Sequence, residues 1–174
     1  MATLFARLLG DAFEQLPPPV RALHARATAH TYAGRVDVER GDGIVSRLMG
    51  AATRLPARNT DQELRVTIEP SATGEHWTRR FANHAMPSRL WDAGGLLCER
   101  LGLVTFAFRL DLEQGELTWR VERVRAFGVP LPARLFRGVL AREFERDGRY
   151  RFDVRAEVPL AGLLVHYRGW LDVE

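Results

Sequence analysis

The apolar positions of this chain change their period along its length. Leu4, Phe5, Leu8, Leu9, Ala12, Phe13 and Leu16 recur at helical spacing and make one stripe. Thr3 stands where a cap belongs, and Pro17, Pro18 and Pro19 end the helix. Pro19 also suits the first turn of a short second helix through Val20 and Leu23. The polar face of the first helix carries Asp11, Glu14 and Gln15, which anionic lipid disfavours, so its stripe is expected to pack on a sheet. From Tyr32 the period becomes two. Tyr32, Gly34, Val36 and Val38 alternate with Ala33, Arg35, Asp37 and Glu39, the signature of a half-buried strand. Helical spacing returns after Asp42, with Ile44, Val45, Leu48, Met49 and Ala52 on one face and Pro56 as the stop.

Beyond that point the pattern is of strands and turns. Leu64, Val66 and Ile68 form one alternating face, and Ser71–Gly74 turns into a strand bearing Trp77, Arg79 and Phe81. Asn83 and His84 mark a reversal into a weaker strand at Arg89–Trp91, and Gly94–Gly95 a bend or bulge. Phe106, Phe108, Leu110 and Leu112 alternate, and Glu113–Gly115 turns into Leu117, Trp119 and Val121. Asp147–Gly148 is the strongest hairpin signal, joining Leu140–Arg146 to Arg149–Val158, and a last strand follows from Leu163 to Val173. The expected fold is α+β: a curved antiparallel sheet, half-barrel or barrel, of about eight or nine strands. The N-terminal helices should pack on its concave face or one open end.

Composition narrows the function more than it reveals it. The chain has 174 residues, 46 % hydrophobic and 27 % charged, which suits one domain over residues 1–174. It contains 25 arginines and no lysine, against 22 acids. The halves match: residues 1–87 carry 11 arginines and 9 acids, residues 88–174 carry 14 and 13. Only Arg120–Arg137 concentrates positive charge, with five arginines against Glu122, so no nucleic-acid footprint is expected. A single cysteine, Cys98, excludes an internal disulfide and reads as a buried structural thiol. Neither a signal peptide nor a transmembrane segment is legible, and the cytoplasm is the expected location.

No catalytic constellation of known spacing appears. His24, His30, His76, His84 and His166 are scattered, so no metal or cofactor is expected. Glu143 and Glu145, beside Asp153 and among Arg149, Arg151 and Arg155, read as a cross-strand charge ladder on a solvated face. The notable irregularity is arginine on otherwise inward faces. Arg79 shares one with Trp77 and Phe81, Arg142 one with Leu140 and Phe144, and Arg123 follows Leu117, Trp119 and Val121. A buried guanidinium needs a carboxylate or a ligand anion, unless its head reaches water at the rim. The last strand places Leu163, Val165, Tyr167 and Leu171 on one face, and Leu164, His166, Arg168 and Trp170 on another that is also partly covered.

The run Asp147–Gly148–Arg149–Tyr150–Arg151–Phe152–Asp153, and Pro159 through Leu171, with its Val165–His166–Tyr167–Arg168–Gly169–Trp170 core, carry a resemblance. Together with Leu16–Pro17–Pro18–Pro19–Val20–Arg21 and His76–Trp77–Thr78–Arg79–Arg80–Phe81, they resemble the bacterial family domain of unknown function 4166 over nearly the whole chain. That family also occurs fused behind saccharopine-dehydrogenase-like oxidoreductase modules. The resemblance implies a domain serving an oxidoreductase or its substrate, and supplies no catalytic residues. The first functional expectation is a non-enzymatic binding domain for a lipid-like, hydrophobic or amphipathic small molecule with an anionic head. Trp77, Arg79, Trp119, Arg142 and Tyr167 are its candidate site. The alternative is an accessory module that docks on an oxidoreductase partner, and an enzyme without a sequence motif ranks third.

Overall fold

The structure is a computed structural model that describes residues 2–43, 55–82, 84–159 and 161–174. The helix read after Asp42 falls at positions 44–52 and lies outside the described residues. At the N-terminus, Thr3 Oγ1 accepts from Ala6 N at 3.4 Å and caps α1 (Leu4–Leu9). The stripe was expected to continue as one helix to Leu16. Instead Gly10 takes φ 54°, which ends the helix, and a 3-10 turn runs over Gly10–Gln15. The prolines then open α2 (Pro18–Ala25).

The strands are β1 (His30–Arg40), β2 (Asn59–Ser71), β3 (Gly74–Phe81), β4 (His84–Asp92), β5 (Leu97–Leu101) and β6 (Val104–Glu113). They continue as β7 (Glu116–Ala126), β8 (Val129–Leu131), β9 (Gly138–Arg146), β10 (Arg149–Val158) and β11 (Gly162–Asp172), with a 3-10 turn at Ala133–Phe136 before β9. Every pairing is antiparallel, in the order β6-β5-β4-β3-β2-β1-β11-β10-β9-β7-β8. β6 also pairs with β7, from Val104↔Ala126 to Glu113↔Glu116, and this closes the sheet into a barrel of ten strands. β8 stays outside the ring, paired with β7 over Val124–Ala126.

Of the half-barrel and the barrel expected, the closed barrel is the one formed, and its ring holds ten strands in place of eight or nine. Two strands escaped the pattern: β5 follows directly on the Gly94–Gly95 bend, and β8 is three residues long with Pro130 at its centre. Register shifts at Val36/Val38, Ala107/Phe108 and Ala156/Glu157 bend the wall, as closure requires.

The barrel interior is the core. Val36, Val38, Leu64, Phe81, Leu90, Leu97 and Leu117 are all buried there. One end is plugged by the helices through Phe5, Leu4, Val20 and Leu23, and the Tyr32 hydroxyl donates to Leu23 O at 3.3 Å to hold α2 in place. Among the described residues no helix is long and apolar enough to cross a membrane.

Candidate functional site

Alternation along β3 turns Trp77, Arg79 and Phe81 inward together. Arg79 is only 8 % exposed, and its Nη1 donates to Ser88 Oγ at 2.9 Å and to Glu99 Oε1 at 3.0 Å. The partners come from β4 and β5, the next two strands of the wall. Burial opposes the charge on Arg79, yet Glu99, with Tyr167 and Tyr150, holds its pKa above the ordinary value. The guanidinium also lies over the Trp77 ring at 4.9 Å.

Arg142 is placed differently from expectation. On β9 it is Glu143 that turns inward, 4 % exposed, while Arg142 and Phe144 project from the outer wall. There Arg142 Nε and Nη2 donate to Glu116 at 2.7–2.9 Å, and its guanidinium stacks 5.8 Å from Phe144. It lines a polar outer groove of about 560 Å³ with Asp153, Arg168 and Trp170. The solvated ladder through Glu143 is therefore overturned. Register sets Asp153 opposite Arg142 and Phe152 opposite Glu143, and Asp153 pairs outside with His166 at 3.0 Å. Apolar side chains stand on both faces of β9, Val139 and Ala141 inward and Phe144 outward, so period-two reading had no means of choosing the face. Arg123 is exposed as well, because the bulge opposite Ala107/Phe108 inserts Glu122 and reverses the alternation.

The inward polar groups meet the helical plug in an aromatic cluster. His24 of α2 reaches Glu143 with Nε2 2.6 Å from Oε2, and its ring stacks on Phe5 at 3.7 Å. Phe5 also lies 5.5 Å from Trp119 and 6.2 Å from Trp77, and the two indoles meet edge to face at 6.2 Å. Trp77 Nε1 donates to Glu75 Oε2 at 2.8 Å. The buried Trp119 Nε1 has no acceptor among the described residues.

Beneath this cluster lies a cavity of about 110 Å³. Its lining is mostly apolar, from Trp77 and Trp119 under the plug to Leu101, Phe136 and Val139 toward the other end, with Arg79, Glu99, Glu143, Tyr150 and Tyr167 as its polar side. Burial pushes the Tyr167 phenol up to about 12, and burial with the neighbouring Glu143 carboxylate raises Tyr150 well above its ordinary value. Cys98 is buried, and burial raises its pKa, so it is not an activated thiol. Among the described residues no three His, Cys, Asp or Glu side chains gather as a metal site.

Of the five candidate residues, Trp77, Arg79, Trp119 and Tyr167 line one cavity, and Arg142 does not. His24, Ser88, Glu99, Glu143 and Tyr150 were missed. Glu99 carried a signal, since it is an acid between Leu97 and Leu101 on one strand face. His24 carried another, as it lies four positions after Val20 and next to Leu23, on the buried stripe of α2.

No curated protein matches the chain. A family model matches residues 16–171, beginning after α1 and spanning α2 and the whole barrel to Leu171. By that match the chain belongs to the family described as domain of unknown function (DUF4166).

Proposed function

We propose that the barrel binds a small hydrophobic or amphipathic molecule whose head accepts hydrogen bonds, a carboxylate being the favoured head. The observation that carries this reading is the apolar cavity with one polar side, built inside a closed barrel. A cavity near 110 Å³ is of the order that accommodates a single benzene ring. The preferred occupant is accordingly a short-chain or single-ring acid. The unpartnered Trp119 N–H is a donor that such a head would satisfy, since buried donors are normally paired. Arg79 adds a cation close by, although it already shares its charge with Glu99. A bound carboxylate would therefore join that pair at its edge, with the Tyr167 hydroxyl facing it.

Titration by tryptophan fluorescence tests this reading, using benzoate, a series of fatty acids of increasing length, and the matching neutral alcohols. Saturable binding should be strongest for the short or single-ring acids, and Arg79→Met or Trp119→Phe should weaken it. If no probe binds, or if acids and alcohols bind alike and Arg79→Met changes nothing, the reading fails. Native mass spectrometry of the purified chain is the complementary measurement, because a co-purified small molecule would identify the occupant directly.

A further inference from the structure

We propose that the barrel end opposite the helical plug docks on an anionic membrane surface. The four exposed large hydrophobics among the described residues are Leu103, Phe127, Val129 and Leu135, at 47, 73, 60 and 41 % exposure. All four belong to the β5–β6 turn, the β7–β8 hairpin or the 3-10 turn that follows β8. Phe127 N donates to Leu103 O at 2.9 Å, so the first two turns are held against each other.

Phe127 is the informative residue. It takes φ 54° in a two-residue turn with Gly128 at 81°, a geometry that favours Asn or Asp in its place. Among the described residues, two further two-residue turns have positive φ at both positions, Gln114–Gly115 and Asp147–Gly148, and both have a polar first residue. Folding therefore has no need of a phenylalanine here, and its ring gains no burial in return for the strained backbone. Apolar groups on protruding turns suit the boundary between headgroups and acyl chains better than a flat protein face.

The surrounding charge complements such a surface. Arg123, Arg125, Arg134 and Arg137 are exposed, and no acid occurs between Glu122 and Glu143. Arg125, Arg134 and Arg137 form no ion pair among the described residues. Exposed arginines ringing an apolar tip are drawn to anionic headgroups, whereas a zwitterionic surface offers them little. Leu101, Phe136 and Val139, which line the cavity, stand at this same end of the barrel. Docking through these surface residues is independent of whether the cavity is occupied.

Vesicle sedimentation of the full chain tests it, with phosphatidylcholine alone and with phosphatidylglycerol added. Binding should require phosphatidylglycerol and weaken as salt rises. Phe127→Asn should reduce it by about tenfold or more, and each of Arg125→Gln, Arg134→Gln and Arg137→Gln by about fivefold. Asparagine tolerates positive φ, so the Phe127→Asn chain should keep its melting temperature, and lost binding then reports the surface and not the fold. Equal binding to both vesicle types, absence of binding, or binding indifferent to Phe127→Asn would overturn the proposal. So would a solution dimer that Phe127→Asn dissociates in a chain that ignores vesicles, because the tip would then be a protein contact.

Discussion

His24 Nε2 and Glu143 Oε2 lie 2.6 Å apart although 119 positions separate them in the chain. The contact bolts α2 to the inner wall of β9 at a place where both side chains are buried. Truncating one partner strands the other away from water. His24→Ala should cost about 3–5 kcal/mol in urea unfolding, whereas His24→Leu with Glu143→Leu should recover most of that loss. If the double variant is as unstable as the sum of the single ones, the pair is not coupled.

The Arg79–Glu99 bridge gives a similar expectation with a functional readout added. Arg79→Met leaves Glu99 buried without its cation, so the empty protein should lose stability, by roughly 3–5 kcal/mol. Adding Glu99→Leu should restore the melting temperature without restoring any binding of a carboxylate probe. Recovery of both would show that the arginine contributes packing alone.

Tyr167 makes stability depend on alkaline pH. Its phenol titrates near 10 in the unfolded chain and is raised to about 12 in the fold by burial. Its contribution is therefore complete below pH 10 and is lost as pH rises toward 12. Wild type should lose roughly 2–3 kcal/mol across that window through this group, and Tyr167→Phe should remove that part of the loss. Urea midpoints at pH 9 and pH 11.5 measure the difference; parallel losses in both chains would place the titrating group elsewhere.

Two glycines should respond to substitution for different reasons. Gly148 takes φ 71° with open space where a Cβ would stand, so Gly148→Val should cost about 1 kcal/mol or somewhat more from backbone strain. At Gly34 a Cβ would collide with the Trp170 carbonyl on β11, which cannot move without opening the β1–β11 ladder. Gly34→Ala should therefore destabilise far more than Gly148→Val, as compared by thermal unfolding. The reverse order would mean that the two strands are not so closely apposed.

The hairpins show what alternation can disclose. Asp147–Gly148 and Gln114–Gly115 occupy positive φ as their residue types suggest, and Trp77, Arg79 and Phe81 share the inward face that period two assigns them. On β9 the same reasoning gave the wrong face, because Arg142 could stack on Phe144 in the open while Glu143 found His24 inside. On β7 it failed past Val121, where one inserted residue reversed the phase. An acid beside an arginine on a strand looks solvated unless the distant histidine that hydrogen-bonds with it is known.

Local chemistry along the chain thus determined the capped N-terminal helix, the proline break, most strands and their turns, and the family to which the chain belongs. These depend on φ preferences, capping and period, which act over a few residues. Only the tertiary structure decided that β1 pairs with β11 and β7 with β9 to close the ring, that Phe5 and His24 plug it, and that Glu99 and Glu143 face inward. Each of those outcomes depends on contacts between residues far apart in the chain. Which face of a strand is inside is set by the register and bulges of its neighbours and by the partners waiting there, and no local pattern carries that information.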